Sequence, residues 1–316
     1  MDIQSGTYPE PYLRATSDIF IKYLFGSEEN TDLLLSFINA VQKDLDLPGI
    51  VSVELKNPFN IREYEQDKSS VLDIKAKDET GQMFNIEMQK EGNEIYKNRA
   101  LYYWAKLYTS QIETGHLWNR LLPAISINIT DFVLFPESRK IHTCFIPKEY
   151  TENFAYSNHL YIHFLELPKL TKKRNNDIII KWLLYLKKEG SEEIDPVIKN
   201  DPILQQAHRK YMEFTSDEKL RDLALRRFMF QTDQLTRLES AREEGREEGR
   251  EEGRGSGALE KAVKTLILFM EKHFDLSEED AKLIYSRNDV TVLDKALELA
   301  FEGKGKQDIL DLFRQQ

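Results

Sequence analysis

Cysteine is almost absent from the 316-residue chain, in which Cys144 stands alone. A single cysteine excludes an internal disulfide framework and a zinc site built from several thiolates. Long apolar runs are also missing, since the most apolar stretch, 178–186, is interrupted by Lys181 and is far shorter than the ~20 residues that span a membrane. The first residues show neither a basic start nor an apolar run typical of a signal peptide. We therefore expect a cytoplasmic protein without a membrane partner.

Most short catalytic signatures are absent as well. The chain has no GxxxxGK[ST], GxSxG, HExxH or GxGxxG motif. Its histidines at 116, 142, 159 and 163 have no metal-ligand spacing with the cysteine, and we assign them to the surface or to packing. The formal net charge of −10 argues against a protein that coats nucleic acid without specificity.

Positive charge is concentrated in one stretch, 169–188, which has seven Lys or Arg residues and one acid, Asp177. Such a patch on an acidic protein suits an enzyme that visits nucleic acid transiently. A solvated helix face followed by a loop explains the same residues, and both interpretations stay open. The candidate DNA contacts within it are Lys172, Lys173 and Arg174.

The order of elements predicts a compact α/β core over roughly the first 190 residues. Apolar periodicity and turn residues predict the following elements: a helix at 17–42 interrupted near Gly26, strands at 50–55, 71–77, 82–89, 124–130, 141–146 and 160–165, and helices at 93–113, 177–189 and much of 200–240.

The C-terminal third begins with a repeat, because Arg-Glu-Glu-Gly occurs three times over 242–253. Its period is close to the helical 3.6, which favours a solvated helix with Arg–Glu pairs, although a disordered charged linker fits too. Residues 258–316 are predicted to form a small helical module, with capping boxes at Ser277–Asp280 and Thr291–Asp294. The predicted domains are therefore 1–240, a linker at 241–257, and 258–316.

The strands at 71–77 and 82–89 bring two carboxylates together. Gly81 suits a three-residue hairpin loop that ends in a left-handed residue and pairs position 78 with position 82. Asp73 then lies opposite Glu87 on one face, with Cβ atoms about 4.5–5.5 Å apart. A two-residue loop would shift the register by one and send them to opposite faces. The alternation predicts one apolar core face and one polar face.

Two adjacent carboxylates repel each other unless a cation or a proton lies between them. Oxygen ligands without Cys or His favour Mg²⁺ or Mn²⁺, which can activate water and neutralise a phosphate. Gln89 projects from the same face and can hold the water or a phosphate oxygen. An exposed acidic hairpin with Lys75 and Lys77 as salt-bridge partners is the alternative explanation.

Asp73, thirteen further residues and then Glu87-Met88-Gln89, followed by a helix that contains Arg99-Ala-Leu-Tyr-Tyr-Trp, resemble the PD-(D/E)XK nuclease superfamily. More narrowly, the chain resembles the bacterial recombination-promoting nuclease (Rpn) and transposase family. Segments 18–26, 112–129 and 163–170 are similar to blocks of that family, and the Arg-Glu-Glu-Gly repeats to its C-terminal tract. The resemblance covers about residues 14–257. Residues 258–316 resemble, more weakly, a small helical domain appended to transposase-like proteins.

This resemblance implies an α/β, restriction-endonuclease-like core, with a mixed sheet flanked by helices, then a charged helical connector and a small all-α module. It also implies Mg²⁺-dependent (or Mn²⁺-dependent) DNA endonuclease activity linked to recombination. By position, Asp73 and Glu87 would ligate the metal, with the Met88 carbonyl as a third ligand. Gln89 replaces the usual lysine, so it can orient water but cannot act as a cation.

Two further residues are carried over by position. Asp18 would be the first-helix acid that completes the site, or else an ordinary acid in the first turn of a helix. Arg99 is a candidate phosphate contact, or else a salt-bridge partner of Glu91 or Glu94.

Two functional hypotheses follow. The leading one is a metal-dependent DNA endonuclease in which a metal-activated water attacks the phosphodiester in line. The alternative is a decayed nuclease fold that acts as a DNA-binding or oligomerisation adaptor through its connector and C-terminal helices. The retained carboxylates favour the first hypothesis, whereas Gln89 and the net charge of −10 keep the second open.

Overall fold

The computed structural model describes residues 11–60, 73–92, 94–112, 117–170, 177–187, 195–286 and 289–314. The chain divides into two compact units, Met1–Thr232 and Asp233–Gln316. Within the described ranges the α-helices are α1 Asp18–Gly26, α2 Thr31–Lys43, α3 Ile95–Thr109, α4 Ile178–Lys187, α5 Asp195–Lys199, α6 Pro202–Ser216, α7 Glu218–His273, α8 Glu278–Ser286, α9 Val290–Phe301 and α10 Lys306–Arg314. The strands are β1 Val53–Leu55, β2 Ile74–Asp78, β3 Met83–Gln89, β4 Ala124–Thr130, β5 His142–Phe145 and β6 Leu160–Glu166.

The first unit contains one mixed sheet with the strand order β1-β2-β3-β4-β6-β5. The strands β3, β4 and β6 are parallel neighbours, whereas β1–β2, β2–β3 and β5–β6 pair antiparallel. Helix α3 forms the connection between β3 and β4, as a parallel crossover requires. The mixed sheet flanked by helices that the resemblance implies is therefore confirmed.

The first helix ends where the sequence predicts a break. Ser17 caps α1, since its hydroxyl oxygen accepts a hydrogen bond of 3.3 Å from the Phe20 N–H. All residues of α1 after Asp18 are buried. Gly26 ends the helix, and a Cβ at this position would lie 2.9 Å from Cδ of Lys22. The glycine therefore leaves room for the Lys22 side chain, which becomes important below.

Apolar residues cover both faces of the sheet. One face packs against α1, α2, α4 and α6, with Phe20, Phe37 and Trp182 among the buried side chains. The other face packs against α3 and the segment 132–135, around Tyr96 and Phe164. All seven residues of β4 are buried, as expected for a strand inside a sheet that is covered on both faces.

This double cover affects the polar face of the hairpin. The sequence predicts one apolar core face and one polar face, and the alternating burial along β2 agrees with it. On β3, however, Asn85 and Glu87 are buried as well. The reason is that β3 is an interior strand whose polar face lies against α3, a contact that period-two alternation cannot reveal.

The second unit is helical. The C-terminal part of α7 packs with α8, α9 and α10 around a core that includes Leu266, Met270 and Phe313. The Arg-Glu-Glu-Gly repeats lie within α7 with exposed side chains, so the repeat is helical. Across the described ranges, no helix combines the length and the apolar character needed to cross a membrane.

The two predicted capping boxes have different outcomes. Ser277 and Asp280 exchange reciprocal bonds, with each side chain accepting from the other's main-chain N–H at 3.2 Å. Asp289, and not Thr291, caps α9, because its carboxylate accepts from the N–H groups of Thr291 and Val292. The second prediction is therefore wrong: an acid two residues upstream is the better acceptor.

Candidate active site

The hairpin has the register that the sequence predicts. Its ladder runs from Ile74 opposite Ile86 to Lys77 opposite Met83. The Asp78 N–H donates to the Gln82 carbonyl at 3.1 Å, which closes a three-residue loop. Extending this ladder by one position places Asp73 opposite Glu87.

A carboxylate in the turn fixes that register. Oδ1 of Asp78 accepts hydrogen bonds of 2.9 Å from the Thr80 N–H, the Thr80 hydroxyl and the Gln82 N–H. Gly81 adopts φ +95°, a left-handed conformation that a glycine reaches without strain. Gly81 was sufficient to predict the loop length from sequence, whereas the hydrogen bonds accepted by Asp78 were not predicted.

Asp73 lies one residue before β2, where several groups meet it. Its side chain is 16% exposed, and Oδ2 lies 3.4 Å from Nζ of Lys75. Nδ2 of Asn57 lies 3.3 Å from Asp73 Oδ1 and 3.0 Å from its main-chain oxygen. The ammonium of Lys22 donates to the same main-chain oxygen at 2.6 Å. Sequence reasoning did not single out Lys22 or Asn57 as neighbours of this carboxylate.

Glu87 is deeply placed, with 5% of its surface exposed. Asn85 Nδ2 lies 3.4 Å from its Oε1, and the Tyr96 hydroxyl lies 3.3 Å from its Oε2. The same hydroxyl lies 3.0 Å from Oδ1 of Asn128, so its single hydrogen is shared between two acceptors. Tyr96 belongs to α3 and Asn128 to β4, and neither was predicted from the sequence to contact the site.

The electrostatics of Glu87 fit a pair of opposed carboxylates. Burial raises the pKa of the Glu87 carboxyl; the Arg99 guanidinium opposes that rise, and the Asp73 carboxylate adds to it. Burial, with the charge of Glu87, also raises the pKa of Tyr96, which therefore remains a phenol. Both Asp73 and burial thus make negative charge on Glu87 unfavourable, and a bound cation would relieve this.

Arg99 lies on the exposed side of α3. Its Cζ is 5.3 Å from the ring centre of Tyr103 and 5.7 Å from that of Tyr96, distances typical of cation–π contacts. Of its two predicted alternative partners, Glu94 pairs with Lys97 at 2.6 Å. Arg99 is therefore held over aromatic rings, within electrostatic reach of Glu87.

Gln89 and Met88 lie in the described part of the chain, whereas the predicted basic cluster does not. Gln89 ends β3, and its amide donates to the Glu91 carbonyl at 2.7 Å. The Met88 side chain is buried in the apolar core, and the role of its carbonyl stays a prediction. The cluster of Lys172, Lys173 and Arg174 lies outside the described residues.

Asp18 is bound to the long helix. Its Oδ2 accepts from Nε of Arg227 at 3.1 Å and from Nε2 of Gln231 at 2.8 Å, both on α7. Its Oδ1 accepts from the Ile19 N–H at 2.9 Å. These bonds satisfy the carboxylate, so a part for Asp18 in metal binding stays a prediction.

The two hairpin carboxylates are the candidate ligands for a divalent cation. In the part of the chain that the structure describes, no group of three or more His, Cys, Asp or Glu side chains could hold a metal ion. Mg²⁺ usually keeps several waters and takes only one or two protein carboxylates. Asp73 and Glu87 therefore fit a hydrated Mg²⁺ or Mn²⁺, but not an all-protein cage.

A separate buried cluster lies on the sheet face that α2 covers. His142 Nδ1 is 2.7 Å from Oδ2 of Asp44, and His142 Nε2 is 2.9 Å from Nδ1 of His163. Cys144 Sγ is 3.7 Å from Nε2 of His163. Burial lowers the pKa of His163 to about 3 and raises the pKa of Cys144 to about 12. The sequence predicted packing or surface roles for these histidines, but it did not predict this series of side-chain contacts.

Comparison with known proteins gives one result. The sequence model of the PD-(D/E)XK nuclease family transposases matches residues 15–241, well over half of the chain. The matched span contains the whole sheet together with Asp73, Glu87 and Gln89. No curated protein and no solved structure shows significant similarity to the chain.

Proposed function

Because the chain belongs to the PD-(D/E)XK nuclease family transposases, we propose that it is a metal-dependent endonuclease that hydrolyses DNA phosphodiester bonds during recombination or transposition. The observation that supports this activity is the hairpin register, whose extension by one position beyond Ile74 and Ile86 brings Asp73 opposite Glu87. Two opposed carboxylates, one with a raised pKa, are an unfavourable arrangement that a bound cation or a proton relieves, and in this proposal the cation is divalent.

In this proposal Asp73 and Glu87 hold Mg²⁺ or Mn²⁺, with the Met88 carbonyl as the candidate third ligand. When bound, the metal would supply activation of water and neutralisation of phosphate charge. Gln89 orients the water through its amide oxygen, since its nitrogen already donates to Glu91. Arg99, fixed by two tyrosine rings, contacts a phosphate of the DNA.

The proposal is tested by incubating supercoiled plasmid DNA with the protein and Mg²⁺ or Mn²⁺. We expect nicked and linear products, and intact plasmid when EDTA is present. Products that persist in EDTA would contradict the metal requirement. Binding without cleavage in either metal would replace the nuclease by the second candidate.

That second candidate is a decayed nuclease fold that acts as a DNA-binding or oligomerisation adaptor. Two observations favour it: Gln89 stands where a cation is usual, and Glu87 is almost fully buried against Tyr96. An adaptor would bind DNA or a second copy of the chain equally well in EDTA and in Mg²⁺. Gel-shift and sedimentation measurements in the two conditions therefore separate the candidates.

The basic cluster provides a further prediction. Changing Lys172, Lys173 and Arg174 together to Gln should weaken DNA binding and flatten its salt dependence. Each phosphate contact on duplex DNA contributes a slope of roughly −0.9 to the logarithm of the association constant plotted against log salt, because counterions are released. Fluorescence anisotropy of a labelled duplex at several salt concentrations measures this slope.

A matched control changes three cations from elsewhere in the sequence, Lys106, Arg120 and Lys148, which are exposed, to Gln. Both variants lose the same net charge, so a difference between them reports position and not charge alone. An unchanged slope in the first variant, or the same change in both, would assign the 172–174 cluster to ordinary solvated surface.

A further inference from the structure

Lys22 is a buried lysine beneath the start of β2. It is 1% exposed, and its ammonium donates to the main-chain oxygens of Asp73 and Asn57, each at 2.6 Å. Burying an ammonium is unfavourable unless good hydrogen bonds replace water. The side chain is admitted because Gly26 lacks a Cβ, which would lie 2.9 Å from Cδ of Lys22. The fold thus accommodates a costly cation at this position.

Asn57 approaches the same point from the end of β1. The last main-chain bond there runs from the Lys56 N–H to the Lys75 carbonyl, at 2.7 Å. Beyond it the Asn57 side chain continues the pairing, since its Oδ1 accepts from the Lys75 N–H at 2.7 Å. Its Nδ2 reaches the main-chain oxygen of Asp73 at 3.0 Å and the carboxylate Oδ1 at 3.3 Å.

Asp73 needs such support for two reasons. It precedes the first residue of β2, so the ladder to β3 does not hold it. It also faces Glu87, and the two carboxylates repel each other whenever no cation is bound. A main chain that gave way here would move Asp73 away from its partner and open the pair.

We propose that Lys22 and Asn57 are positioning residues that clamp the main chain of Asp73 and so preorganise the metal site. This inference rests on the proposed function, because it assumes that Asp73 and Glu87 bind a divalent cation. Neither residue touches the substrate in this arrangement. Their contribution is to hold Asp73 against the repulsion of Glu87, so that less free energy is lost when the metal binds.

The test is calorimetric titration of the full-length protein with Mn²⁺, without DNA, so that the readout is binding and not activity. The variants are Lys22→Met, Asn57→Ala and, as a matched control, Lys75→Met. Lys75 also lies beside Asp73, but it contacts the carboxylate from the solvent side. Circular dichroism and thermal melting check that each variant folds.

If Lys22 and Asn57 together form this clamp, Lys22→Met and Asn57→Ala should each weaken Mn²⁺ binding about 10- to 100-fold. This is the usual effect of losing a residue that orients a metal ligand. Lys75→Met should bind Mn²⁺ equally well or more tightly, because a competing cation has been removed. A purely electrostatic role for Lys22 predicts the opposite sign, since removing either lysine would then strengthen binding. Asn57→Ala decides the matter if Lys22→Met does not fold, because it removes no charge.

Mn²⁺ binding by the parent protein and by Asp73→Asn separates an error in the clamp from an error in the metal site. If the parent binds Mn²⁺ and Asp73→Asn does not, but Lys22→Met and Asn57→Ala bind like the parent, only the clamp is wrong. If the parent does not bind Mn²⁺, or if Asp73→Asn binds it equally well, the metal site itself is wrong and the clamp falls with it.

Discussion

We expect Glu87→Gln and Asp73→Asn each to abolish the proposed Mg²⁺-dependent cleavage of plasmid DNA while the fold remains intact. Both changes keep the size of the side chain and remove a charge that the proposed metal requires. We expect cleavage to fall by at least about 100-fold, the scale seen when a group that stabilises transition-state charge is lost. Initial rates of plasmid nicking measure the effect, and circular dichroism verifies the fold. Cleavage at the parental rate by either variant would overturn the assignment.

Glu87→Gln has a second effect, on stability without metal. Because the pKa of Glu87 is raised in the folded state, its carboxyl is favourable when protonated at low pH, and that stabilisation is lost as pH rises. In EDTA at pH 7 the neutral amide should therefore give a more stable protein than the buried carboxylate. The advantage should shrink as pH falls toward the ordinary pKa of a glutamate.

Glu79 is the matched control for this stability effect. It is exposed, and hydrogen bonds from the main chain, chiefly from the Ser52 N–H, lower the pKa of its carboxyl. Glu79→Gln should therefore be less stable than the parent at pH 7, the opposite sign. Denaturant unfolding at pH 7 and pH 4 in EDTA compares the two variants. If Glu87→Gln is less stable than the parent at pH 7, the charge of the buried Glu87 carboxylate does not destabilise the folded protein.

The second large effect is acid destabilisation through His163. Burial lowers the pKa of this imidazole to about 3, whereas an unfolded histidine has its ordinary value near ~6.5. Below the ordinary value, the unfolded chain binds a proton that the folded chain does not, so stability falls as pH decreases. The slope is about 1.4 kcal/mol per pH unit between these two pKa values. We expect His163→Gln to lower stability at pH 7 but to remove this slope.

Unfolding of the relevant unit can be followed by tryptophan fluorescence. The chain has three tryptophans, Trp104, Trp118 and Trp182, all within the first unit. The control is His159→Gln, which alters a partly buried histidine whose Nδ1 lies 2.9 Å from the Tyr108 hydroxyl. It should keep the slope of the parent protein. If His163→Gln keeps that slope as well, His163 is not the group responsible.

The hairpin register that leads to Asp73 and Glu87 could be predicted from sequence because it depends on local rules. A turn that ends in Gly81 defines the loop length, and the strict alternation of strand side chains then determines every opposed pair. The break between α1 and α2 follows similarly from Gly26. Such predictions need only neighbours along the chain, so a single sequence is sufficient.

The surroundings of the pair depend on contacts that are distant in sequence. Lys22 and Asp73 are 51 residues apart, and Asp44 and His142 are 98 apart. No periodicity or spacing connects such residues, because the topology of the sheet decides which of them meet. The burial of Glu87 beneath Tyr96 has the same origin, since it requires the position of α3. The hairpin that carries the two carboxylates was therefore predictable from sequence, but the residues that surround them were not.

The series of side-chain contacts from Asp44 through His142 and His163 to Cys144 determines which nitrogen of each histidine carries a hydrogen. An ionised Asp44 only accepts, so a neutral His142 carries its hydrogen on Nδ1 and accepts at Nε2 from Nδ1–H of His163. Nε2 of His163 then accepts from the Cys144 thiol. In this arrangement the hydrogen of His163 lies on Nδ1 and leaves Nε2 as the acceptor. The nitrogen-15 shifts of the two ring nitrogens of His163 therefore measure the direction of hydrogen bonding along the whole series of contacts.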